Sequence, residues 1–274
     1  MRGLDGWAKP STKLSHKEGT MTIPLKAGII YGPVNSRRLG RSLGINLLPR
    51  GTKICTFNCV YCQYGWTKIH GRSLPDDKKW PAPEEIFSEL KKFLIKIDTP
   101  PEYLTFSGNG EPTLHPHFPE IVQGIVTIRD EFAPQAKTAI LSNSSTITEL
   151  PVRESLKMLD VRIMKLDCGN AECFTHYNQP TSGVEFSEVI EGLRELDQVT
   201  IQSLFTDGEG GNYTPSSIED WIVQLKIIHP VFVQIYSLDR GYPSENIFPL
   251  SVPKLNTIRD YLNFLNIPSE VYHR

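Results

Sequence analysis

Two apolar periods alternate along most of this chain. Short runs rich in β-branched and aromatic residues read as strands, and longer segments with an apolar residue every three or four positions read as amphipathic helices. The first strand-like run is Ser42-Leu43-Gly44-Ile45-Asn46-Leu47-Leu48. A proline-rich stretch, Pro81-Ala82-Pro83, then opens a helix whose Ile86, Leu90, Phe93 and Leu94 share one face. Strands follow at 103–106, 137–141, 161–166, 199–205 and 231–236, with helices at 118–132, 153–159, 187–196, 218–228 and 252–265. Strand then helix, repeated in series, predicts an α/β fold with a parallel sheet and right-handed crossovers. The pattern fits a sheet curled into part of a barrel and an open doubly wound sheet equally well. No second domain is indicated.

The loop after the first strand carries Cys55, Cys59 and Cys62, in the run Ile54-Cys55-Thr56-Phe57-Asn58-Cys59-Val60-Tyr61-Cys62. Three thiolates so spaced can hold one cubane iron–sulfur cluster and leave its fourth iron open to a small molecule. Zinc is the rival ligand, but a structural zinc usually takes four donors, often as two pairs. Only His70 offers itself nearby as a fourth. Cys168 and Cys173 lack such spacing and read as unpaired structural cysteines.

Tyr61 puts an aromatic residue just before the third cysteine, giving CxxxCxΦC. Further on stands Ser107-Gly108-Asn109-Gly110-Glu111-Pro112-Thr113-Leu114-His115-Pro116, and earlier Tyr31-Gly32-Pro33-Val34-Asn35-Ser36-Arg37-Arg38-Leu39-Gly40-Arg41-Ser42-Leu43-Gly44. On these residues the chain resembles the radical S-adenosylmethionine superfamily, and within it a prokaryotic subgroup related to wyosine-type tRNA-modifying iron–sulfur oxidoreductases. The resemblance spans about residues 28 to 240 and implies a partial (β/α)6 barrel, a single core domain over 26–274, with chemistry at the carboxyl ends of the strands. It implies a 4Fe–4S cluster on Cys55, Cys59 and Cys62, S-adenosylmethionine as cofactor, and reduced flavodoxin or ferredoxin as electron donor. Reductive cleavage would give a 5′-deoxyadenosyl radical that abstracts hydrogen from an RNA nucleoside, a peptide or a small metabolite. Tyr61 is expected against the adenine, and Gly108, Asn109, Gly110 and Glu111 along the amino group of S-adenosylmethionine.

Other strand-end residues keep two readings each. Ser142 and Asn143 suit a ribose or a carboxylate, or cap a helix. Lys165 and Asp167, two apart on one strand, form an internal ion pair or bind the methionine carboxylate or substrate. Arg37, Arg38 and Arg41 suit a substrate phosphate or another anion, or ordinary surface ion pairs. Gln234, Tyr236, Asp239 and Arg240 are substrate-facing candidates. His115-Pro116-His117 reads as a turn and not as a metal pair.

Charge narrows the partners. With 29 basic and 31 acidic residues the net charge is −2, so nothing general draws the chain to nucleic acid, and an RNA substrate would need a local basic patch. No apolar run suggests a membrane span or a secretory leader. An oxygen-sensitive cluster beside unpaired cysteines points to the cytoplasm. Residues 1–25 read as a flexible extension, with Met21 as an alternative start, and Lys68 to Lys79 as a mobile loop. Two readings from other classes compete with the enzyme: a non-catalytic iron–sulfur electron-transfer protein, which would need a fourth protein ligand, and a zinc-stabilised binding module.

Overall fold

The computed structural model of the protein describes residues 22–75 and 79–273. Of the extension expected over 1–25, residues 1–21 lie outside this description, as do 76–78 of the loop from Lys68 to Lys79. Ile23 N–H donates to Gln63 O at 2.9 Å, which ties the first described residues to the end of the cysteine loop.

Eight strands form one sheet: β1 (Ile30–Ser36), β2 (Gly40–Ile45), β3 (Tyr103–Phe106), β4 (Lys137–Ser142), β5 (Val161–Lys165), β6 (Val199–Leu204), β7 (Phe232–Tyr236) and β8 (Ser269–Tyr272). Their spatial order is their order in the chain. A doubly wound sheet reverses direction at a switch point; an order without reversal keeps every crossover on one side and curls the sheet into a half-barrel. The choice that periodicity left open is thereby made. All neighbours from β2 to β8 are parallel, and only β1 runs antiparallel to β2.

Seven helices, α1 (Pro83–Lys96), α2 (Phe118–Phe132), α3 (Leu150–Lys157), α4 (Ala171–Tyr177), α5 (Phe186–Arg194), α6 (Pro215–Ile228) and α7 (Val252–Phe264), accompany the sheet. In α1 the predicted stripe is the buried face, Ile86, Leu90 and Leu94, with Pro83 in the first turn where its missing N–H costs no helical bond. Alternate strand residues divide between two cores. Leu104, Phe106, Ile140, Met164, Ile201 and Val233 join the core shared with the helices. Ala139 and Ile163 form a smaller cluster on the opposite face, with Tyr103 and Leu141. That inner face turns polar towards Lys165, Gln202, Gln234 and Tyr236, so the barrel interior is apolar at one end and hydrogen-bonding at the other.

The differences from the expected elements are local. The stretch from Tyr31 to Gly44 is an antiparallel hairpin, and part of its pattern is packing: a Cβ on Gly44 would lie 2.1 Å from Tyr31 Cζ, across the register pair Tyr31–Gly44. The first predicted strand ends at Ile45 instead of Leu48, and α4 and β8 were not predicted. Cys168 and Cys173, expected to be unpaired, form a disulfide that closes the turn into α4.

The His115 turn behaves as expected. His115 Nε2–H donates to Pro81 O at 2.9 Å, and Nδ1 accepts from His117 N–H at 3.1 Å, so the buried ring is neutral. Burial holds its pKa down, from 6.5 to about 4. Between those values the unfolded chain binds the proton and the folded protein does not, so this contribution is complete above pH 6.5 and is lost as pH falls towards 4. Urea midpoints at pH 7 and pH 5 should differ less in His115→Gln than in the parent. An unchanged difference would remove His115 as a cause of acid sensitivity.

Candidate functional site

The three cysteines reach one place because their loop is pinned from both sides. A backbone bridge joins Ile54 to Gly110, with Ile54 N–H donating to Asn109 O and Glu111 N–H to Ile54 O, each at 3.2 Å. Gly110 makes this approach feasible: its φ is +141°, and a Cβ there would fall 1.8 Å from Ile54 O. Gly110→Ala should destabilise the protein by about 2–4 kcal/mol and impair iron loading, read by denaturant melts and iron analysis. On the far side Asn58 N–H bonds the Asn178 and Gln179 carbonyls, and Val60 N–H bonds Tyr177 O at 3.1 Å.

Cys55, Cys59 and Cys62 line a cavity of about 270 Å³ at the carboxyl ends of the strands. Gly108, Gly110, Leu141, Gln202, Leu204, Tyr61 and Tyr236 share its wall, and Arg37, Arg38, Asp239 and Arg240 also line it. Each thiol meets at least one donor. Phe57 N–H and Asn143 Nδ2 reach Cys55 Sγ at 3.4 Å, Asn178 Nδ2 reaches Cys59 Sγ at 3.5 Å, and Lys53 Nζ reaches Cys62 Sγ at 3.2 Å. Such donors stabilise thiolate sulfur in a ligated cluster. Burial pushes the Cys55 thiol well above its ordinary value, aided by Cys59 and Glu111. Burial, then Cys62 and Asp167, raises Cys59 to about 11. Loading must therefore release protons, and the bound iron offsets the gathered negative charge.

Among the described residues no three His, Cys, Asp or Glu are arranged to hold a single metal ion. His70, the conceivable fourth zinc ligand, instead contacts Thr56 O at 3.2 Å. Three cavity-lining thiols with aimed donors and no fourth thiol fit a cubane cluster with an open iron better than tetrahedral zinc.

The remaining predicted residues separate into wall and scaffold. Gly108 and Gly110 line the cavity; Asn109 is fully buried and bonds Lys26 and Pro49. Glu111 is also buried, and its carboxylate accepts from Thr113 N–H and Oγ1, Ser142 Oγ and Asn143 N–H at 2.6–3.1 Å. Burial raises its pKa against the pull of those bonds. Ser142 and Asn143 cap no helix, since α3 begins at Leu150; they lock the turn beside Cys55. Lys165 and Asp167 form the internal ion pair, at 2.7 Å, with the Asp167 side chain wholly inaccessible. Asp167 also accepts from Tyr61 Oη, Asn178 Nδ2 and Leu204 N–H. Lys165 donates to Tyr236 Oη at 3.0 Å and lies over the Tyr61 and Tyr236 rings. Burial works against its charge, yet Asp167 and Tyr236 keep its pKa raised. Arg41 pairs in register with Asn35 and does not line the cavity.

Lys53 and Asn178 escaped the sequence reading. A lysine before a cysteine carries no periodic signal, and Asn178 meets Cys59 only through the path of α4.

Residues 50–220 match the Radical SAM superfamily profile. A UPF0026 protein of Helicobacter pylori strain J99 is 33% identical over 215 residues, covering 77% of this chain and 67% of the relative. A radical SAM methyltransferase from Sphaerobacter thermophilus superposes with a TM-score of 0.61 at 15% identity, over 84% of this chain and 66% of that one. TYW1 with a lysine-pyruvate adduct bound superposes at 0.60 and 16% identity, over 82% and 73%. This chain thus spans about two thirds of the length of the Helicobacter relative and of the methyltransferase. No helix of the described residues is long and apolar enough to cross a membrane. The profile covers well over half of the sequence and includes all three cavity thiols, and the chain belongs to the radical SAM superfamily, whose enzymes work with a 4Fe–4S cluster and S-adenosylmethionine.

Proposed function

We propose that the protein cleaves S-adenosylmethionine reductively in the three-cysteine cavity and abstracts hydrogen from a substrate admitted there. The observation that carries this reading is the convergence of three thiols, and no fourth, on a cavity walled by strand ends. Bound there, the cluster and S-adenosylmethionine would supply the radical chemistry that removes hydrogen from the substrate. Cys55, Cys59 and Cys62 would hold the cluster, with Asn143, Asn178 and Lys53 steadying their sulfurs. The Gly108–Gly110 backbone would run along the cofactor's amino group, where glycine permits close approach. Tyr61, held by Asp167 and Lys165, would offer its ring to the adenine. Glu111, Ser142 and Asn143 would act from behind the wall by fixing its shape. The half-barrel would exclude water from the radical, and a reduced flavodoxin or ferredoxin would supply the electron. A purely electron-carrying role is less well supported, because the cysteine set leaves one iron without a protein ligand.

Anaerobic reconstitution with iron and sulfide, then S-adenosylmethionine and dithionite, should yield 5′-deoxyadenosine by mass spectrometry. A fully loaded protein that neither binds nor cleaves S-adenosylmethionine would overturn the reading.

A further inference from the structure

The cavity is far more basic than the chain around it. Its wall contains the cations Arg37, Arg38, Lys53 and Arg240 and one carboxylate, Asp239, in a protein of net charge −2. These charges are not equivalent. Arg37 and Asp239 form an ion pair, and Lys53 faces the Cys62 sulfur at 3.2 Å. Lys53 would therefore offset the small net negative charge that three thiolates leave on a cubane cluster.

Arg38 and Arg240 remain. Arg38 Cζ lies over the Tyr236 ring, 4.8 Å from its centroid, and Arg240 Nη1 donates to Gln63 Oε1 at 2.8 Å. Among the described residues neither has a carboxylate partner within ion-pair distance. The Arg37–Asp239 bridge joins the tip of the β1–β2 hairpin to the loop after β7. Arg38 and Arg240, each one residue from that bridge, are thereby held on the wall of one cavity. The positive field is felt locally: burial first, and Arg240 next, lower the pKa of Lys26. With its Cζ over the Tyr236 ring and no carboxylate partner among the described residues, the Arg38 guanidinium has N–H donors to offer an oxyanion, which such a fork can bind in two hydrogen bonds.

We infer that Arg38 and Arg240 form a recognition site for an oxyanion, phosphate or carboxylate, on a small substrate that enters above the cluster. This rests on the radical-enzyme reading of the cavity. It also narrows the substrate class, because two unpaired guanidiniums suffice for one oxyanion group but not for tracking several backbone phosphates of an RNA.

The test uses the full chain, reconstituted with its cluster and saturated with S-adenosylmethionine. Calorimetric titrations with pyrophosphate and with citrate distinguish phosphate from carboxylate recognition. At least one should bind, with a log–log salt slope of about one to two. Arg38→Gln/Arg240→Gln should weaken it at least about tenfold, whereas Lys157→Gln, on the exposed face of α3, should not. Three results would overturn the proposal: neither anion binds with or without S-adenosylmethionine; an anion binds only the cluster-loaded protein before S-adenosylmethionine is added and is displaced by it, which would place the anion on the cofactor's own site; or the double variant or Lys157→Gln behaves contrary to expectation. A single-stranded RNA that binds more tightly than pyrophosphate, with a steep salt slope, would overturn it too. The salt slope and the displacement are read on the parent protein, so a poorly folded variant leaves the test intact. Cleavage is measured separately on the parent. Loaded protein that binds the oxyanion but neither binds nor cleaves S-adenosylmethionine would sink the radical-enzyme reading, and cleavage without oxyanion binding would sink only this proposal.

Discussion

Serine in place of Cys55, Cys59 or Cys62 is expected to eliminate the cluster and all 5′-deoxyadenosine formation. Reconstituted parent protein should carry about four irons per chain, and each single variant should fall well below that with loss of the brown charge-transfer absorption. The physical reason is that a buried serine hydroxyl is far harder to ionise than a thiol and binds iron poorly. Cys55 should be the most sensitive. It is the most enclosed of the three and takes two donors, Phe57 N–H and Asn143 Nδ2, that are positioned for sulfur. The fold should survive, because the apoprotein already accommodates protonated thiols, so far-UV circular dichroism should be unchanged. A serine variant with full iron content would show that its cysteine is not a ligand.

Asp167→Ala is expected to be the most destabilising single change outside the cysteine loop, by about 3–5 kcal/mol in urea unfolding. The substitution removes the acceptor of four donors and leaves the Lys165 ammonium without its counter-charge at 2.7 Å. Most of the loss is the cost of that unpaired buried charge and not the worth of the pair. Lys165→Met/Asp167→Ala should therefore recover part of it, and the thermodynamic cycle should show strong coupling. A loss under about 1 kcal/mol for Asp167→Ala would mean that water reaches the pair. Tyr61 shares the carboxylate, so the variant should also bind S-adenosylmethionine more weakly if the ring contacts the adenine.

Much of this architecture is legible before folding. The αβ alternation is local, because each helix stripe and strand run is a short-range pattern, and all six expected strand–helix units appear, with bounds shifted by at most three residues. The hairpin arm β1 was not read as a strand: Gly32, Pro33 and Asn35 interrupt it, and pairing with β2 sustains it. α4 is too short for a periodic signal, and β8 forms only against β7. The disulfide between Cys168 and Cys173 depends on a turn whose shape their five-residue separation does not specify.

The candidate site divides in the same way. Cys55, Cys59, Tyr61 and Cys62 are contiguous in the chain, and their spacing alone announces a cluster loop, because a short segment must supply several ligands at once. Gly108 and Gly110 are visible for a similar local reason. Lys53, Asn178 and Tyr236 meet their partners from different strands and helices, so no spacing relates them; of that polar chain only Lys165 and Asp167, two apart, were marked by their spacing. The sequence by itself determined the family chemistry and the order of βα units, since both are written in near-neighbour patterns. Only the tertiary structure decided that the sheet curls without reversing, that Lys165 and Asp167 pair with each other, and that two arginines distant in sequence share one cavity wall. Those outcomes depend on how far each strand end travels in space, a distance that crossover packing sets and near-neighbour patterns do not encode.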